Sequence, residues 1–212
     1  MNTENLITAL AADLPNRPTS IPRALSLALL ASIPIAAAAL LFGLQLRSDF
    51  WQVVSTPRFE FKFVFTLAMC GAGLWLVARL SRPGVTAGPA RLALGAALAI
   101  LLVAVGIELT ALPANSWLPT LVGTMAVPCV VLIPLLSAAP LAALLIAMKA
   151  GAPDSPAVAG AAVGLLAGAI GATFYAPHCT NDSPLFVAVW YVIGIAAVAL
   201  AGSLIGSRVL RW

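Results

Sequence analysis

Six stretches of this chain stay apolar for about 20 residues or more, the length an α-helix needs to cross the hydrocarbon of a bilayer. They run over 24–46, 59–78, 92–112, 157–176 and 185–207, with one more inside the charge-free stretch 112–148, read as starting near Leu121. Backbone groups in lipid must be bonded within a helix or a closed barrel, and runs this long lack the alternation of barrel strands. The expected fold is therefore all-α, a polytopic membrane helical bundle with six transmembrane helices. Composition agrees: 8% of residues are charged and mean hydropathy is +1.06, whereas a soluble domain carries roughly 25% charged residues. A length of 212 residues then divides into a leader, 1–23, and a six-helix membrane domain, 24–212. No room remains for an extended catalytic or DNA-binding lobe.

Orientation follows from the eleven Lys and Arg residues. With the N-terminus inside, the inner segments hold Arg17, Arg23, Arg79, Arg82, Arg91, Lys149, Arg208 and Arg211, and the outer segments only Arg47, Arg58 and Lys62. Positive charge concentrates on the cytoplasmic side of membrane proteins, so both termini are expected in the cytoplasm. The net charge of +4 is thus mainly a topology signal. No basic stripe with interleaved aromatics occurs, and direct nucleic-acid binding is not expected. The first span is read as retained, because a cleaved signal has an apolar core of only about 7 to 15 residues.

The leader carries a pattern of its own. Leu6, Ile7, Leu10 and Leu14 gather on one face of a helix beginning near Asn2 or Thr3, with Glu4 in its first turn and Pro15 ending it. Pro18 and Pro22 continue as a tether. This apolar face could lie on membrane lipid, but Glu4 and Asp13 would be repelled by anionic headgroups and no basic residue precedes Arg17. A helix-in-groove contact with a partner protein fits better.

Within the spans, Gly160, Gly164 and Gly168 recur at four-residue spacing and Gly202 with Gly206 repeats the pattern, faces on which helices can approach closely. Phe59, Phe61, Phe63 and Phe65, with Trp51, read as an aromatic belt at which Arg58 and Lys62 snorkel, Glu60 being their counter-charge. Glu108 is the one acid well inside an apolar run and a candidate for proton or ion work. Pro128, Pro134 and Pro140 could kink the fourth helix into a movable part.

Reactive chemistry concentrates in the polar stretch His178-Cys179-Thr180-Asn181-Asp182-Ser183-Pro184. Cys129 precedes Lys149 by 20 residues, about 30 Å of helix, which puts it on the same outer face as Cys179. Cys70 falls near mid-membrane and reads as a small buried residue. In a bacterial envelope the outer face meets an oxidising compartment. His178, when protonated, would favour a neighbouring thiolate, and His178, Cys129 and Cys179 could instead hold a soft metal ion. Redox or metal sensing, a structural bridge and unrelated cysteines all remain open at this point. No Ser-His-Asp set, phosphate loop or metalloprotease helix is present. No cofactor is expected beyond a soft metal ion as signal.

The leader Thr3-Glu4-Asn5-Leu6-Ile7 through Leu10 and Asp13-Leu14-Pro15, the boundary Cys129, the glycine ladder, His178-Cys179 with Asp182-Ser183, and Phe186 to Trp190-Tyr191 together resemble the six-pass membrane anti-sigma factors called negative regulators of sigma F. The resemblance spans essentially the whole chain. It implies an inner-membrane protein, not an enzyme, that holds an extracytoplasmic-function sigma factor and releases it under oxidant or heavy-metal stress. By that similarity Cys129 and Cys179 match the sensing positions, and Leu6, Ile7, Leu10, Asp13 and Leu14 the sigma-contacting segment. The alternative is a small membrane thiol oxidoreductase or a metal or proton transporter using Cys129, Cys179, His178 and Glu108, although neither a CxxC pair nor inverted halves are visible.

Overall fold

The computed structural model describes residues 2–12 and 20–211, the side chains of Leu10 and Ala11 excepted. The expectations for the Leu10 side chain, Asp13, Leu14, Pro15, Arg17 and Pro18 lie outside those described residues.

Among them the chain forms a leader helix α1 (Thr3–Ala12) and then α2 (Ile21–Ala38), which a π-helical turn, Ala39–Leu44, extends. A single short turn, α3 (Phe50–Val53), leads into α4 (Pro57–Leu80), α5 (Gly88–Ala111), α6 (Ala114–Val122) and α7 (Ala126–Met148). The remainder is α8 (Pro156–Tyr175), then α9 (Pro184–Phe186) running through a π-helical turn, Val187–Tyr191, into α10 (Val192–Val209). Six helical segments among the described residues are long and apolar enough to cross a membrane. Four of them, α2, α4, α5 and α8, open with proline in their first two positions, as α9 does at the head of the sixth. The fixed φ of proline suits that position and its missing N–H would have had no helical partner there.

The fourth span departs from the expected start near Leu121. Residues 114–122 form the separate α6, and Gly123, with φ +56°, breaks the chain before α7 begins at Ala126. A β-carbon at Gly123 would also come within 2.7 Å of the Asn181 and Phe186 side chains. Once started, α7 continues unbroken through Pro134 and Pro140.

At the centre lies α8, the most enclosed span. Lipid offers no hydrophobic drive between helices, so close contact must come from small residues. A β-carbon on Gly164 would stand 2.7 Å from the Ala199 α-carbon, and one on Gly206 2.6 Å from that of Gly160. The expected ladder is therefore the seam between α8 and α10. Gly171 plays the same part against α7, where a β-carbon would lie 2.7 Å from the Ile133 carbonyl.

Two apolar clusters fill the bundle. One, with Leu25, Leu76, Val77, Leu144, Met148 and Val163, sits towards the end where α2 begins. The other, with Phe65, Cys129, Ile133, Tyr175, Cys179 and Tyr191, sits towards the opposite end. α2, the helix that follows the leader in the chain, begins at the first end, and both Cys129 and Cys179 belong to the second.

Candidate functional site

At the far end of α8 the chain turns sharply. The Tyr175 carbonyl accepts from the N–H of His178 at 3.0 Å and of Cys179 at 3.2 Å, which folds the polar loop back over the helix end. Two cations hold it there. Lys62 Nζ donates to the carbonyls of Ala176 at 3.1 Å and Cys179 at 2.9 Å, and meets Asp182 Oδ1 at 2.5 Å. Arg47 reaches the same carbonyl of Cys179 at 3.2 Å and Asp182 Oδ2 at 2.8 Å, and its Nε meets Asp49 at 2.6 Å. Buried charge is tolerated only when it is paired and hydrogen-bonded; here two cations face two carboxylates. The guanidinium of Arg47 holds the Asp49 carboxyl below its usual range.

Lys62 has no solvent exposure, which corrects its reading as a snorkelling belt residue. The sequence signal existed: Lys62 falls in three- and four-residue steps with Phe59, Thr66, Met69, Gly73 and Leu76, the buried stripe of α4. The belt is likewise only partial, because Phe59 and Phe65 are core residues while Trp51 is exposed.

Cys129, in the first turn of α7, meets Cys179 under this loop, and both are fully buried. No disulfide joins them among the described residues, and Cys70 stands apart with its sulfur 3.8 Å from Thr173 Oγ1. The Cys179 thiol is drawn down to about 6 by the hydrogen bond from Cys129, against the opposing effect of burial and with help from the Lys62 charge. Over the two sulfurs stand Tyr175 and Tyr191, ring centroids 5.8 Å apart, fully buried, their hydroxyls without a hydrogen-bond partner. Tyr191 is delivered by the π-helical turn that opens the sixth span.

His178 does not join the thiols. Its Nδ1 lies 3.0 Å from the Gln45 carbonyl, at the end of the first span, where Gln45 has φ +64°. The cation beside Cys179 is Lys62 instead. No three His, Cys, Asp or Glu side chains among the described residues are grouped to hold a metal ion, so the expected set of Cys129, Cys179 and His178 is not assembled.

Glu108 is likewise occupied. Its Oε2 accepts from Ser183 Oγ at 2.5 Å and from Leu185 N–H at 3.0 Å, capping α9, while Arg58 sits 3.2 Å from Oε1. Asn181 fastens the loop to α7: its Oδ1 accepts from the N–H groups of Thr124 at 3.2 Å and Met125 at 3.0 Å. In the leader, Leu6 and Ile7 are exposed.

Fold and site together define a polytopic membrane protein built around one buried thiol pair, preceded in the chain by a leader helix whose Leu6 and Ile7 are exposed. Residues 10–212 match the family described as negative regulator of sigma F, and the chain belongs to that family. It is 37% identical over 216 residues to the anti-sigma-F factor NrsF of Caulobacter vibrioides and 34% identical over 214 residues to the probable anti-sigma-F factor NrsF of Azospira oryzae, each alignment covering 100% of both chains. No solved structure matches the chain.

Proposed function

We propose that this protein is an anti-sigma factor of the bacterial inner membrane, both termini cytoplasmic, which holds an extracytoplasmic-function sigma factor on its leader and releases it when Cys129 and Cys179 meet periplasmic oxidant or heavy metal. Its partners are then the sigma factor and membrane lipid, with no direct contact to nucleic acid. The chain itself catalyses nothing in this scheme.

The observation that carries this reading is the course of α2. It begins where the leader ends, and its far end is fastened to the thiol loop: the Gln45 carbonyl meets His178, Arg47 N–H donates to the Pro177 carbonyl at 3.2 Å, and the Arg47 side chain holds Cys179 and Asp182. A change in the loop therefore acts on the helix that bears the leader. A disulfide contributes about 2 to 4 kcal/mol, and moving a two-state protein from 1:99 to 99:1 takes about 5.5 kcal/mol. One bridge gives graded release.

Neither alternative draws comparable support. Glu108, the candidate carrier of a proton or ion, is engaged in capping α9 and pairing with Arg58.

The test replaces each cysteine by serine and follows sigma-dependent transcription with and without oxidant, alongside thiol-trapping gels. Both variants are expected to lose induction. Normal induction in both, with thiols unchanged in the wild type, would remove the sensing role.

A further inference from the structure

We infer that the two thiols divide the chemistry: Cys179 is attacked first, Cys129 resolves it, and the oxidant they admit is small and uncharged, hydrogen peroxide being the type, bound by the hydroxyls of Tyr175 and Tyr191. This rests on the redox reading of the pair and goes beyond it by naming the order of events and the class of oxidant.

The surroundings of the two sulfurs differ. Cys179 sits in the loop, its own carbonyl bonded to the Lys62 ammonium at 2.9 Å and its sulfur 3.6 Å from the Asn181 carbonyl. Cys129 sits inside the first turn of an apolar helix, among Ile133 and the aromatic side chains of the same cluster. A thiolate is the nucleophile in such chemistry, and a nearby cation favours it.

The tyrosines point to the ligand. Buried hydroxyls almost always find a strong partner, so two fully buried phenols that form no well-made hydrogen bond and face only two thiols call for an explanation. A peroxide between them would accept both hydrogen bonds. Lys62 and Arg47 are already paired with Asp182 and Asp49, so an anionic oxidant would have to displace a carboxylate to bond either of them. Complete burial of both sulfurs excludes a bulky one.

The reaction balances. Cys179, having released its proton, attacks one peroxide oxygen; the S–O bond forms, the O–O bond breaks, and the departing hydroxide takes up that proton as water. The Cys129 sulfur then attacks the Cys179 sulfenic acid; the S–S bond forms, the S–O bond breaks, and the hydroxyl leaves with the Cys129 proton as a second water. Two thiols are oxidised to one disulfide, and peroxide is reduced to two waters.

Full-length Cys129→Ser, treated with hydrogen peroxide while folded and then unfolded into dimedone so that the buried sulfur is reached, is expected to carry the sulfenate adduct on Cys179, and Cys179→Ser none on Cys129 at the same dose. The reverse pattern overturns the division of roles. Joint Tyr175→Phe and Tyr191→Phe removes hydroxyls that face only the two sulfurs, so folding should survive, while disulfide formation by peroxide slows at least about tenfold; an unchanged rate overturns the tyrosine site. Dianionic tetrathionate should oxidise the wild type at least about tenfold more slowly than peroxide, through the unpaired charge it would bring into the site, and equal rates overturn the oxidant class. If the wild-type thiols resist every reagent, the redox reading beneath fails as well. A disulfide that forms with Cys129 attacked first removes this inference alone.

Discussion

Lys62 donates a hydrogen bond to the carbonyl of Cys179, 2.9 Å away and 117 positions later in the chain, from a site that water does not reach. The second span and the thiol loop are thereby locked, and the same ammonium places positive charge beside the Cys179 sulfur.

Lys62→Met should break that lock. The carbonyls of Ala176 and Cys179 lose their donor and Asp182 keeps only Arg47. A loss of about 3 kcal/mol is expected, since a buried group deprived of its charged partner costs this order. Thermal unfolding in detergent measures it. Lys62→Arg retains the charge and should recover part of the loss.

The reactivity of Cys179 should persist into mild acid. Its thiol lies at about 6, below the ordinary 9.0, with the Cys129 hydrogen bond as the first cause. The groups facing it are Cys129 on α7, Tyr175 on α8, Tyr191 ahead of α10, Lys62 on α4 and, with Lys62, Asp182 and Arg47. A depressed value stabilises the fold above the unfolded thiol's pKa, and that contribution is lost as pH falls through the folded one. Alkylation by a small neutral reagent should therefore continue down to about pH 6. Cys129→Ala should move the midpoint upward, and Cys129→Ser, which keeps a donor, should move it less.

Gly164→Ala tests the central seam. The added β-carbon would stand 2.7 Å from the Ala199 α-carbon, and overpacking of this kind costs about 1 to 3 kcal/mol. Gly95→Ala is the control, because nothing lies within 4 Å of that position. Heat resistance of the purified protein should fall for the first and hold for the second.

Leu6→Ala together with Leu10→Ala should release the sigma factor without stress. Each anchor, buried in a groove, is expected to contribute about 1.5 to 3 kcal/mol. Sigma-dependent transcription should rise in unstressed cells while the protein stays in the membrane fraction; unchanged repression and co-purification would disconnect the leader from sigma binding.

The six spans, the glycine seam and the shared face of Cys129 and Cys179 were legible in the residues alone. Hydropathy and helix length are local properties, and a helix of known rise converts sequence distance into depth. The environment of the thiols was not legible. His178 adjoins Cys179 in sequence, yet its ring turns to Gln45, while Lys62, 117 positions away, occupies the place beside the loop. Glu108, an isolated acid in an apolar run, proved to be the cap of α9, because its partners Ser183, Leu185 and Arg58 come from other segments. Chain composition determined that this protein crosses a membrane and roughly where. Which charge meets which thiol was decided only by packing: desolvated groups must take the partners that the folded bundle brings within reach, and that reach spans helices distant in sequence.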